Sequence, residues 1–186
     1  TDREYMLLAL EEAEKAGAEG EIPIGAILVY KDLIIASAHN EKEHTNDPTA
    51  HAEITAIRKG AAFLKRWRLT GASLYVTIEP CPMCAGALLN ARVSRLIYGA
   101  PNPQYGAVDS RFHLTSSSVL NHTMEVTSGI CKEKCQTLMD EFFARRRSQF
   151  HMEQYRSGHN EADSKSVSPS GPVGSNPTCS AKSKAP

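Results

Sequence analysis

The sequence predicts a three-layer α/β domain, with helices on both sides of one sheet. Two observations carry this. Segments of helical period alternate with short apolar runs from end to end, and runs such as Ile24–Tyr30 and Ser73–Ile78 lack the polar alternation of a solvated strand, so they suit a sheet covered on both faces. At 186 residues and 41% hydrophobic, the chain is long enough for one buried core.

The first helix places Tyr5, Leu8, Ala9, Ala13 and Ala16 on one face, and Thr1-x-x-Glu4 is a capping box at its start. Gly17 and Gly20 end it. Ile24–Tyr30 and Leu33–Ala38 flank Lys31-Asp32, a two-residue hairpin turn, and both strands are expected to be covered on both faces. A second helix runs from about Ala50 to Leu64, followed by the β-branched strand Ser73–Ile78. Pro82 opens a short helix that turns Ala85, Leu88 and Leu89 inward. Arg95–Tyr98 is a further strand, a weaker one lies near Met124–Thr127, and a long helix spans about Ile130 to Tyr155. From Ser157 to Pro186, eight Ser, three Gly and four Pro leave too little apolar surface to offset ordering entropy. The predicted organisation is one folded domain over 1–156 and a disordered tail over 157–186.

Twenty-one basic residues balance twenty-one acidic ones, so any polyanion site must come from local clustering. Residues 54–78 supply such a cluster, with Arg58, Lys59, Lys65, Arg66 and Arg68 and no acid. Arg145-Arg146-Arg147 follows Phe142-Phe143, a pairing of cations and aromatic rings that suits phosphates and unstacked bases. There is no run of about 18 apolar residues and no basic, then apolar, N-terminal segment, so neither membrane insertion nor secretion is expected. Five cysteines, an odd number, point to reduced thiols or metal ligands rather than a disulfide framework.

The chemistry gathers at Pro80-Cys81-Pro82-Met83-Cys84 and, thirty residues upstream, His51-Ala52-Glu53. A lone Cys-x-x-Cys fits a redox pair as well as a metal; beside His-x-Glu it reads as zinc. Three protein ligands, His51, Cys81 and Cys84, with no fourth Cys or His at ligand spacing, describe a catalytic rather than a structural site. Cys131 and Cys135, four apart on the last helix, are expected to pack or face solvent. Residues two apart inside a helix diverge, so His51 and Glu53 serve one site only at a helix end, and the metal is expected at helix N-termini. Zinc lowers the pKa of water from 15.7 to about 7, which makes an attacking hydroxide available, and Glu53 is placed to carry the protons.

These motifs resemble the zinc-dependent nucleobase deaminases. Asp47-Pro48-Thr49-Ala50-His51-Ala52-Glu53-Ile54, Leu74 to Ala87 and Tyr98-Gly99-Ala100 are similar to the bacterial-type (or organellar) tRNA-specific adenosine deaminases, over roughly residues 4 to 150. The resemblance implies a cytidine deaminase-like αβα fold with one mixed sheet, one Zn2+ per chain, a homodimer, and conversion of the wobble adenosine of a tRNA anticodon to inosine. It implies that Asn40 hydrogen-bonds the flipped nucleotide, that Ala52, Pro80 and Asn102 contact substrate, and that Phe142, Phe143, Arg145, Arg146 and Arg147 face the anticodon stem-loop. Pro101-Asn102-Pro103 departs from the Arg-Asp pair of many bacterial members. A cytoplasmic or organellar (chloroplast or mitochondrion) location follows from such a substrate. Two other readings fit the same residues: a deaminase of free guanine, cytosine or nucleosides, and a non-catalytic, zinc-stabilised RNA-binding subunit, which the presence of Glu53 weighs against.

Overall fold

The computed structural model describes residues 1–116 and 122–156, so the tail expected over 157–186 lies outside the described residues. The chain divides into two units, Thr1–Ser148 and Gln149–Pro186; the sheet and the site lie in the first, and the described part of the second is helical. The elements in order are α1 (Asp2–Ala18), β1 (Gly25–Tyr30), β2 (Leu33–His39), α2 (Lys42–Thr45), α3 (Ala52–Leu64), β3 (Ala72–Ile78), α4 (Pro82–Asn90), β4 (Arg95–Ala100), β5 (Glu125–Ser128) and α5 (Lys132–Arg156).

The five strands form one mixed sheet in the order β2-β1-β3-β4-β5. β1 runs antiparallel to β2 and β3, whereas β3, β4 and β5 are parallel, because helix α4 carries the chain from the end of β3 back to the start of β4. The hairpin turn is as expected: Lys31 and Asp32 both adopt positive φ, 49° and 62°.

Period-2 alternation splits the core into two layers. Ala26 and Leu28 of β1 and Leu74 and Val76 of β3 pack with Ala52 and Ala56 of α3 and Leu88 of α4. Ile27, Val29 and Tyr75 point to the other face, against Met6, Ala9 and Leu10 of α1 and Cys135 of α5.

Two expectations are corrected. The buried stripe of α1 is Met6, Ala9, Leu10, Ala13 and Ala16, with Tyr5 and Leu8 only half-buried at its margins. The stripe is set by close approach: a Cβ at Gly25 would collide with the carbonyl of Ala9, so only glycine lets α1 lie this near β1. β2 is an edge strand, and its first residues, Leu33 and Ile34, are exposed rather than covered. The capping box forms, with Thr1 Oγ1 accepting from the Glu4 amide and Glu4 Oε2 accepting from the Thr1 amine at 2.7 Å.

Candidate active site

Two helix starts meet beyond the C-terminal end of β3. Glu79 and Pro80 form the turn, Cys81 is the N-cap of α4, and Pro82 opens the helix where no N–H donor is required. Cys84 follows one turn later and comes back beside Cys81. His51 is the N-cap of α3, in extended conformation, which puts Glu53 in that helix's first turn. Neither N-cap side chain makes a capping hydrogen bond to its helix; both turn toward one point.

His51 Nδ1 lies 3.7 Å from Cys81 Sγ and 3.5 Å from Cys84 Sγ. A tetrahedron with Zn–N and Zn–S bonds of about 2.0 and 2.3 Å has N···S edges of about 3.6 Å, so the three atoms already sit where zinc would hold them. Among the described residues, these three form the one group of His, Cys, Asp or Glu close enough for a metal ion. Glu53 is buried, and its Oε2 has no hydrogen-bond partner among the described residues. Such an orphaned acceptor beside three ligands is what a water-binding metal site leaves when only the protein is present. One imidazole and two thiolates suit zinc and leave a fourth position for water.

The electrostatics of the protein groups alone divide the two cysteines into a thiolate and a thiol. The Cys84 side-chain hydrogen bond, with help from His51, brings Cys81 down to about 4, so this thiolate forms readily. Cys84 is held up as the thiol that donates to it. Hydrogen bonding to Cys81 raises His51. Burial pushes Glu53 up to about 7, where a carboxyl can both take and give a proton near neutrality. The positive ends of α3 and α4 converge on the same point.

Asn40 and Ala52 are buried, Ala52 directly after His51, and Pro80 lies in the turn that leads to Cys81. The Asn40 amide donates to Glu21 Oε2 at 2.9 Å, while Glu21 Oε1 accepts from the His44 amide at 2.7 Å. Asn102 is half-buried, and its Oδ1 accepts from the amides of Gln104 and Tyr105. Arg145, Arg146 and Arg147 are exposed on α5, as is Phe143, but Phe142 is 4% exposed and packs edge-on against Phe143. Phe143, rather than Phe142, therefore offers a ring to solvent. The 58–68 cluster is partly engaged within the chain: Arg58 pairs with Asp47, Lys59 donates to the Ser37 carbonyl, Arg66 lies over the Tyr30 ring and Arg68 over Trp67. A cavity of about 690 Å³ on the α1–α5 face, lined by Leu7, Leu10, Glu11 and Leu138 among others, is separate from the ligand triangle.

Two carboxylates matter here that motif reasoning missed, Glu21 and Glu79. The signal was an acid at the edge of an apolar run, Glu21 directly before Ile22-Pro23-Ile24 and Glu79 directly after β3. Burial alone would raise Glu79, but hydrogen bonds from Asn102, Ser110 and Asp109 outweigh it and hold the carboxyl below its usual range.

Residues 1–100 match the family model of the cytidine and deoxycytidylate deaminase zinc-binding region. The chain is 48% identical over 153 residues to the tRNA-specific adenosine deaminase of Haemophilus influenzae, covering 82% of this chain and 88% of that protein. It is 45% identical over 142 residues to the enzyme of the same name from Bacillus subtilis, covering 76% of this chain and 88% of that protein. Among solved structures it is similar to one from a study of A-to-I editing by tRNA:A34 deaminases at the wobble position of transfer RNA, with TM-score 0.71 and 45% identity, covering 73% of this chain and 98% of that one.

Proposed function

Since the chain belongs to the cytidine and deoxycytidylate deaminase zinc-binding family, we propose that it hydrolyses adenosine to inosine at the wobble position of a tRNA anticodon. The observation that carries the reading is the ligand triangle of His51, Cys81 and Cys84 with the buried, unpartnered Glu53 oxygen beside it. One zinc ion per chain would be held by those three residues and, when bound, supplies a Lewis acid that makes water nucleophilic at neutral pH.

Glu53 does the proton work. It takes a proton from water as the water oxygen bonds to C6 of the adenine and delivers that proton to N1; it then takes the proton of the new C6 hydroxyl and gives it to the amine as the C6–N bond breaks, so that adenosine and water become inosine and ammonia. A base stacked in an anticodon loop cannot reach a carboxylate this deeply buried, so the nucleotide must be splayed into the pocket. Asn40, its amide fixed by Glu21, meets that nucleotide in a single orientation, with Ala52, Pro80 and Asn102 as further contacts. Phe143 and Arg145 to Arg147 face the stem-loop, with Phe142 packed beneath Phe143. The working unit is a homodimer, the catalytic domain spans 1–156, and the compartment is one that holds tRNA, cytoplasm or organelle. No described helix is long and apolar enough to cross a membrane.

The deciding experiment compares inosine and ammonia formation from an anticodon stem-loop carrying a wobble adenosine with ammonia release from free adenosine, guanine and cytidine. Turnover of the stem-loop alone is expected. Efficient turnover of a free base or nucleoside with none of the RNA would replace this reading, and tight RNA binding without product would leave a non-catalytic subunit.

A further inference from the structure

Residues 101–110, directly after β4, form a loop built around the carboxylate of Glu79, the residue that follows β3. Glu79 Oε1 accepts from three successive amides, Val108 at 3.1 Å, Asp109 at 2.8 Å and Ser110 at 2.9 Å. Its Oε2 accepts from the Asn102 amide at 2.9 Å and from the Ser110 hydroxyl. Three consecutive N–H groups aimed at one oxygen make an anion nest, filled here by the chain's own side chain. Gly106 lies against the same carboxylate so closely that a Cβ would overlap Oε2. The loop is tied a second time to the metal-bearing turn, by the Ala107 amide donating to the Pro80 carbonyl at 2.9 Å.

Glu79 is two residues before Cys81, yet its carboxylate points away from the ligand triangle into this loop, so it takes no part in the proton transfers assigned to Glu53. Gly106, Ala107 and Val108 are buried by the anchor, while Pro103, Gln104 and Tyr105 are left on the outside, with Tyr105 64% exposed. A large exposed ring on a loop bolted to the zinc turn is of no use to a small base enclosed in the pocket. It suits the nucleotides that flank one.

We propose that Glu79 is a positioning residue for polynucleotide: it locks the 101–110 loop, with Asn102 and Tyr105, onto the metal-bearing turn and acts on RNA binding rather than on the chemical step. This rests on the RNA reading above. Removing an interaction made equally in ground and transition states raises KM and leaves kcat alone.

The test uses Glu79→Gln and Gly106→Ala in the zinc-loaded protein, the second variant displacing the carboxylate by steric overlap while leaving Glu79 itself unchanged. Amide hydrogen exchange at 102 and 108 to 110, zinc content, and KM and kcat for the wobble-adenosine stem-loop are measured together. Expected are lost protection at those amides, retained zinc, KM up by about tenfold or more and kcat within about threefold of the parent. Unchanged KM with lost protection, or a kcat that falls in step with zinc content, overturns the proposal, as does retained protection in both variants. If Glu79→Gln does not fold, Gly106→Ala alone decides. A parent that makes no inosine removes the RNA reading and this role with it, while the exchange data still report separately whether Glu79 anchors the loop.

Discussion

Cys84 Sγ lies 3.5 Å from His51 Nδ1, although 33 residues separate them in the chain. That approach is possible because two helices begin at the same place, and a tetrahedral metal accounts for it better than a hydrogen bond does. Cys81→Ala removes one vertex. Metal analysis is expected to show loss of the zinc, and thermal melts a clear drop in stability, since metal ligation can contribute about 10 kcal/mol or more to folding. A variant that keeps a full zinc complement would rule out the ligand set.

Glu53→Ala separates enzyme from binding module. In the proposed reaction the carboxylate serves several proton transfers, and general acid–base groups are typically worth about 10² to 10⁴ in rate, so single-turnover inosine formation should fall by a factor in at least the upper part of that range. Zinc content and stem-loop affinity should hardly change. A rate within tenfold of the parent would mean that another group moves the protons.

The group of His51, Cys81 and Cys84 was legible in the sequence because residue types able to hold a metal stand there at short spacing, and helix geometry puts His51 and Glu53 at a helix start. The hairpin was legible for the same reason, through local turn chemistry at Lys31-Asp32. What stayed hidden depends on distant partners. Glu79 is bonded to residues 23 to 31 positions away, so an acid at the end of an apolar run marks the position but not the amides that wrap it. The four-residue helix α2 has no apolar period of its own, and Glu21 accepts from its His44 amide. In α1, the run Met6-Leu7-Leu8 allowed several stripes, and the contact at Gly25 chose among them.

Arg145, Arg146 and Arg147 of α5 predict salt-dependent RNA binding despite a net charge of zero. Arg145 and Arg147 are exposed, and Arg146 is exposed while lying 5.7 Å from the centre of the Phe142 ring. For single-stranded sites, log affinity falls against log salt with a slope of about −0.7 per phosphate neutralised, so replacing all three with Ala should flatten the slope by up to about 2. Titrations with the stem-loop from low to moderate salt check this. An unchanged slope and affinity would assign the contacts to other residues.

Acid stability should report the docking of α1. Tyr75 donates to Asp2 Oδ1 at 2.7 Å, and Arg95 reaches both carboxylate oxygens at 3.4 and 3.3 Å, joining the first turn of α1 to β3 and β4. The Tyr75 hydrogen bond, aided by Arg95 and opposed by burial, holds Asp2 below its ordinary 3.8. A depressed carboxyl pKa adds stability that is fully present above the unfolded value and is lost as pH falls through the folded one, so the window lies below about pH 4. Asp2 is 33% exposed, so solvent screening keeps the contribution near 1 kcal/mol, or roughly 2–4 °C in melting temperature. Asp2→Asn should therefore melt a few degrees below the parent from pH 7 down to about pH 5, with the gap closing as the pH is lowered through 4 and beyond. Because the other carboxylates and the zinc ligands are common to both proteins, their own acid losses cancel in the difference. A gap that stays constant down to pH 3 would show that the ionised form of Asp2 contributes nothing to holding α1 on the sheet.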